Sequence, residues 1–233
     1  MKKFIFLVFI LAQSVVYSQN LEGMEGLFFI PTAEVKEDAK LAFGINYLNK
    51  NIVSFGRFKY DAANYYITLN FLPFIQSSIR ITRFRGSPPN TTQAIGDRTA
   101  SIKIRLFEES DIRPAVSIGI HDLFTVFGGE AAVHNNAFYL VATKNMELDS
   151  FLSNIALTIG YGSDLMRAEN HNFVGLFGGA AFRVFQYLDL LIEYDTKRMN
   201  GGVKAKLFNH LNLLIGALDF KYISSGISFS FQI

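Results

Sequence analysis

The chain is 233 residues long and half apolar, with 24 Phe and 10 Tyr but neither Trp nor Cys. Its 22 basic and 20 acidic residues leave a formal charge of +2, and Lys2 and Lys3 alone account for that excess. The lack of cysteine excludes a disulfide framework, a thiolate metal centre and a thiol nucleophile. The balance beyond Lys3 removes the clustered positive field that a nucleic-acid partner would require.

Met1-Lys2-Lys3 followed by the apolar stretch Phe4–Val16 is a basic n-region and an h-region. It is shorter than the roughly 20 residues of a membrane-spanning helix and reads as a secretory signal over residues 1–18, cut near Ser18-Gln19. Residues 19–40 then form an N-terminal arm. Within it, Gly26-Leu27-Phe28-Phe29-Ile30-Pro31-Thr32-Ala33 is a poor inner strand, because proline cannot donate to a ladder. That segment is expected as a lumenal plug, a periplasmic lid or a leader strand tucked against a rim.

From residue 41 to 233 the pattern is strand throughout. Period-2 alternation predicts Leu41–Leu48, Asn64–Phe71, Gln76–Phe84, Arg98–Phe107, Pro114–His121, Ala137–Lys144, Ser153–Tyr161, Phe173–Val184, Tyr187–Asp195, Gly201–Phe208, Leu211–Leu218 and Tyr222–Gln232. Ile102, Ile104 and Leu106 oppose Ser101, Lys103 and Arg105; Val116, Ile118 and Ile120 oppose Ser117, Gly119 and His121. Leu188, Leu190, Ile192 and Tyr194 oppose Asp189 and Glu193. The final strand sets Ile223, Ile227, Phe229, Phe231 and Ile233 against Ser224, Gly226, Ser228, Ser230 and Gln232.

A soluble β-sandwich or lipocalin-like barrel also has one dry and one wet face. Two details point instead to an outer-membrane barrel. The second face mixes small polar residues with charges, as a lumen would, and the apolar face is crowded with Phe and Tyr near strand ends, as lipid-facing girdles are. Connections agree: Gly86–Asp97, Asp122–Asn136 and Gly162–Asn172 are long, and short ones such as Glu108–Arg113 and Met146–Leu152 separate them. Counting Asn49–Ala63 as an external loop gives about twelve antiparallel up-and-down strands with both ends on the periplasmic side. The expected fold is thus an all-β transmembrane barrel over 41–233. A ring of that size is wider than a filled eight-stranded one, so a narrow channel or plugged lumen is expected. On these faces, Ile104→Arg should be costly and Ser101→Arg milder.

Arg80, Ser101, Lys103, Arg105, His121, Asp189, Glu193, Lys204 and Lys206 should point inward. Charges of both signs in a partly dry lumen are unfavourable unless paired, so they either brace the wall by salt bridges or form a sugar- or ion-selective constriction. Glu108 and Glu109 are expected to be solvated at a turn. His121, His134, His171 and His210 lie in separate elements without metal-ligand spacing. His121-Asp122 with Ser117 is the one imaginable acyl-chain hydrolase, but no nucleophile elbow surrounds any serine. No catalytic residue, cofactor or metal is expected.

At these residues the chain resembles the YjbH family, outer-membrane proteins associated with exopolysaccharide production. The resemblance rests on Gly26-Leu27…Ile30-Pro31-Thr32-Ala33, Ser78-Ile79-Arg80-Ile81-Thr82, Asp97-Arg98…Lys103-Ile104-Arg105-Leu106-Phe107-Glu108-Glu109 and Arg113-Pro114-Ala115-Val116…Gly119. It extends through Asp122, Glu130, Tyr139–Lys144 and Glu193-Tyr194-Asp195. The block Asp97–Glu109 is its most specific part. Family members are longer, with further domains after this region, so a short, free-standing barrel is expected here. The resemblance implies a non-enzymatic outer-membrane barrel that assists exopolysaccharide export or surface assembly, with the polysaccharide and export-system proteins as partners. Outer-membrane lipid would surround it, and the barrel-assembly machinery would engage its last strand. A general small porin or structural barrel, and a lipid-modifying barrel enzyme, are the alternatives.

Overall fold

The computed structural model describes residues 19–35, 38–51, 54–55, 58–85, 95–123, 137–148, 152–165, 173–208 and 210–233. The expected signal segment, residues 1–18, and Glu130, His134 and His171 lie outside the described residues.

Twelve strands close an antiparallel barrel. In chain order these are β1 (Lys40–Leu48), β4 (Asp61–Asn70), β5 (Ile75–Arg85), β6 (Ile95–Phe107), β7 (Ala115–His121), β8 (Ala137–Glu147), β9 (Asn154–Ser163), β10 (Gly175–Phe185), β11 (Leu188–Tyr194), β12 (Met199–Leu207), β13 (Leu211–Leu218) and β14 (Tyr222–Gln232). Two further strands, β2 (Ser54–Phe55) and β3 (Phe58–Lys59), pair only with each other in the connection between β1 and β4. The expected external loop therefore carries a short ribbon, and its last residues, Asp61–Ala63, belong to the wall.

Every barrel strand pairs with its sequence neighbours, and the ring closes where β1 meets β14, from Lys40↔Gln232 to Tyr47↔Ser225. Closure leaves no exposed edge. All twelve expected segments are strands. At some ends the ladder outlasts the apolar pattern: β6 reaches back to Ile95 beside β5, and β8 runs on to Glu147 opposite Asn154. β10 starts at Gly175, not Phe173, because the chain turns there with φ +115°, a conformation that favours glycine.

Burial alternates as the pleat requires. Along β14, Ser224, Ser228 and Ser230 are buried, whereas Ile223, Ile227, Phe229 and Phe231 face out. Long connections 49–60, 86–94 and 122–136 share one end. Around the opposite end, Phe71, Phe74, Phe107, Phe185, Tyr187 and Phe208 form an exposed aromatic ring. No helix among the described residues is long and apolar enough to cross a membrane, which leaves crossing by strands open.

Candidate functional site in the barrel interior

Residues 19–35 lie inside the barrel. Gln19, Leu21, Glu22, Met24, Glu25, Leu27, Phe28, Phe29, Ile30 and Ala33 are all buried, although only two isolated bridges, Gln19↔Glu25 and Gly26↔Pro31, give the segment strand-like pairing. Its fold is local and polar. The Asn20 side chain accepts hydrogen bonds from the N–H groups of Glu22 at 2.9 Å and Met24 at 3.1 Å, and donates to the Phe29 carbonyl at 2.9 Å. Gly23 turns with φ +84°, and any Cβ there would strike the Tyr66 ring of β4.

A backbone without a ladder, buried in a barrel, must find side-chain partners for its N–H and C=O groups. The wall supplies them. Asn46 of β1 donates to the carbonyls of Asn20 at 3.0 Å and Leu21 at 2.9 Å, and Asn64 of β4 also donates to Leu21. Thr68 donates to the Gly23 carbonyl. Gln76 of β5 accepts from the Glu25 N–H at 2.9 Å. Lys103 of β6 bridges the carbonyls of Glu25 and Thr32, both at 3.1 Å, and Arg105 reaches Val35 at 2.9 Å. Ser117 of β7 donates to the Ala33 carbonyl, and Thr143 of β8 accepts from the Ala33 N–H at 2.9 Å.

Across the ring, the Glu193 carboxylate of β11 accepts three consecutive segment N–H groups, Phe28 at 3.0 Å, Phe29 at 2.9 Å and Ile30 at 3.3 Å, plus Asn200 Nδ2 at 3.1 Å. Lys204 of β12 donates to the Gly26 carbonyl. Arg80 of β5 pairs with Glu22 of the segment. A cleft of about 40 Å³ remains between the segment and β8–β12, beside Glu34, Asn145, Arg183, Asp189 and Lys204.

Arg80, Ser101, Lys103, His121, Asp189, Glu193 and Lys204 are all buried, and Arg105 and Lys206 are partly so. Four of them, Lys103, Arg105, Glu193 and Lys204, bind backbone groups of the segment, and Arg80 binds its carboxylate. Asp189 pairs across the wall with Arg183 at 2.9 Å, as a bracing salt bridge does. Ser101 accepts from the Asp122 N–H at 3.4 Å. His121 packs its ring on Tyr139 (4.8 Å) and Phe173 (5.5 Å), while Ser117 spends its hydroxyl on Ala33.

Of the motif positions, Pro31 and Thr32 sit within the segment, and Asp122 is buried with φ +61° after β7. Asp97 pairs through its backbone with Thr82, and Arg98 faces outward from β6. Glu108 is exposed beside Arg105 at 3.3 Å, as expected. Glu109 is not simply solvated: its carboxylate accepts the Asn145 N–H and Nδ2, both at 2.7 Å, and pairs with Lys144 at 3.1 Å. Partial burial alone would raise its pKa, but the bonds from Asn145 and Lys144 outweigh that and hold it below the usual carboxylate value.

Asn46, Asn64, Thr68, Gln76, Thr143 and the segment acids Glu22 and Glu25 escape the sequence reading. Their only signal is a wet face rich in amides and hydroxyls, groups that can both donate to and accept from a backbone.

The family described as exopolysaccharide biosynthesis protein YbjH has a model that matches residues 18–217. The chain is also similar to a protein named "Uncharacterized lipoprotein YjbH" from Escherichia coli (strain K12), 24% identical over 238 aligned positions covering 86% of this chain. It spans 31% of that relative's length.

Proposed function

The chain belongs to the YjbH exopolysaccharide biosynthesis family, and from that premise we propose that it is a non-enzymatic outer-membrane barrel that assists export or surface assembly of an exopolysaccharide, with residues 19–35 as its plug. The observation that carries the plug is the set of wall side chains bonded to the segment's backbone, from Asn46 on β1 round to Lys204 on β12. Such bonds exchange readily for bonds to water or to the hydroxyls of a sugar chain, whereas an apolar contact has no such replacement. The membrane setting is supported by outward rows of Ile, Leu, Phe and Tyr, with an aromatic ring at the end away from the long connections.

A filled lumen also favours a second reading, a structural barrel that never opens. One pair of measurements separates them. Cells lacking the chain should lose surface polysaccharide, and the wild-type chain, recovered in outer-membrane fractions, should restore it. Glu193→Ala, which frees the N–H groups of Phe28, Phe29 and Ile30, should change the polysaccharide yield if the plug moves in service. Unchanged polysaccharide on loss of the whole chain would sink the export role.

A further inference from the structure

On the outer wall, near the end that carries the long connections, β1, β4 and β5 border a hollow of about 540 Å³ lined by Ile45, Tyr47, Ala63, Tyr65, Arg83 and Arg85. The register explains its shape. Phe43, Ile67, Ile79 and Ala100 make one outward row across β1, β4, β5 and β6, and Ile45, Tyr65, Ile81 and Arg98 make the next. In the row above, small Ala63 stands between Tyr47 and Arg83, so the wall is indented at that point. Arg85 follows on β5, opposite Asp61.

The chemistry changes sharply over these rows. Ile79 and Ile81 are exposed and apolar; two residues on, Arg83 and Arg85 are exposed and cationic, with Arg98 beside Ile81 on the next strand. None of the three guanidiniums is in a salt bridge with a described residue. The acid in this corner, Asp61, already accepts the Lys50 N–H at 2.8 Å and the Tyr47 hydroxyl. A greasy, ring-flanked slot below Arg83 and Arg85, with Arg98 at its side, matches an acyl chain below a phosphate, which guanidinium binds in bidentate fashion.

We propose that this hollow is a binding site for the phosphate-bearing headgroup of a membrane lipid, with an acyl chain laid along Ile45, Tyr65 and Ile81. The inference rests on the membrane reading above, and it assigns the long-connection end to the leaflet that holds the anionic lipid.

Native mass spectrometry of the full chain, released from an uncharged detergent, tests it with lipid A as the phosphorylated probe and phosphatidylcholine as the neutral-headgroup comparison. Wild type should retain lipid A in preference. Arg83→Ala and Arg85→Ala should each weaken retention about fivefold, the usual effect of one basic residue at a lipid surface. Ala63→Phe, which fills the hollow and keeps every charge, should weaken it as well. Equal retention of the two lipids, unchanged retention in the Arg83→Ala/Arg85→Ala chain, or a dimer of the chain in place of bound lipid would each overturn the site. Failure is separable from that of the membrane reading: a wild-type chain that does not show heat-modifiable barrel migration in any lipid or detergent defeats both, and a folded barrel indifferent to lipid A defeats only this one.

Discussion

Glu193 shows how much one side chain can organise. Its two oxygens receive four donors, three of them backbone N–H groups of the segment. Glu193→Gln keeps the size but turns one acceptor into a donor aimed at other donors. Leaving buried donors unmet costs about 1–3 kcal/mol, so amide exchange at Phe28–Ile30 should accelerate while exchange along β11 stays slow. Equal acceleration in both places would mean that Glu193 supports the wall and not the segment. Glu109 allows a pH test. A carboxylate held below its usual value contributes stability that is present above the unfolded pKa, 4.5 for a free side chain, and is lost as pH falls through the lower folded value. The tie between the 108–114 connection and β8 should therefore loosen only below about pH 4.5, read as faster exchange at the Asn145 amide. Glu109→Gln should remove that acid dependence.

At the scale of elements, the wall was legible because period 2 is unforgiving: a one-residue slip would move every side chain to the other face. Ile102 and Ile104 against Ser101 and Lys103 could settle only one way. The depth of the interior was not legible. Tyr139, Tyr66 and Phe177 each lie inward over a glycine directly opposite, Gly119, Gly44 and Gly160, where a Cβ would meet the ring. Those glycines are the places where large rings fit beside an occupied lumen. Occupancy also alters one expectation. Ile104→Arg, facing the lipid of the proposed setting, should cost roughly 2–4 kcal/mol near the bilayer midplane. Ser101 has 7% of its surface exposed and bonds the Asp122 N–H, so Ser101→Arg enters packed space and adds an overpacking cost of about 1–3 kcal/mol. Denaturation midpoints in lipid should show both variants impaired, and a harmless Ser101→Arg would mean that water fills the space around Ser101.

For the molecule as a whole, the ring was legible and its contents were only half so. Residues 19–35 have no periodicity to read, because their partners are scattered round the wall; the bond from Phe28 to Glu193 spans 165 positions of sequence. Proline argued the segment out of the ladder and could not say where it went. Its placement can be tested directly, since the chain has no cysteine and Ala33→Cys is a single reporter. Ala33 is fully buried between Ser117 and Thr143, so a polar maleimide should not label Cys introduced there in the folded barrel. Thr143→Val removes the acceptor of the Ala33 N–H, and Lys103→Met removes the donor to Glu25 and Thr32. Each leaves buried backbone groups unmet inside an otherwise closed ring, so the balance shifts toward a segment that has left the lumen, where water satisfies those groups. Labelling should then rise in the double variant while the barrel keeps its heat-modifiable migration, because neither side chain takes part in the strand ladder. Rapid labelling in the otherwise unaltered chain would place residues 19–35 outside the lumen and remove the plug from the proposed function; slow labelling in every variant would mean that the segment is a fixed filling of the lumen that does not move.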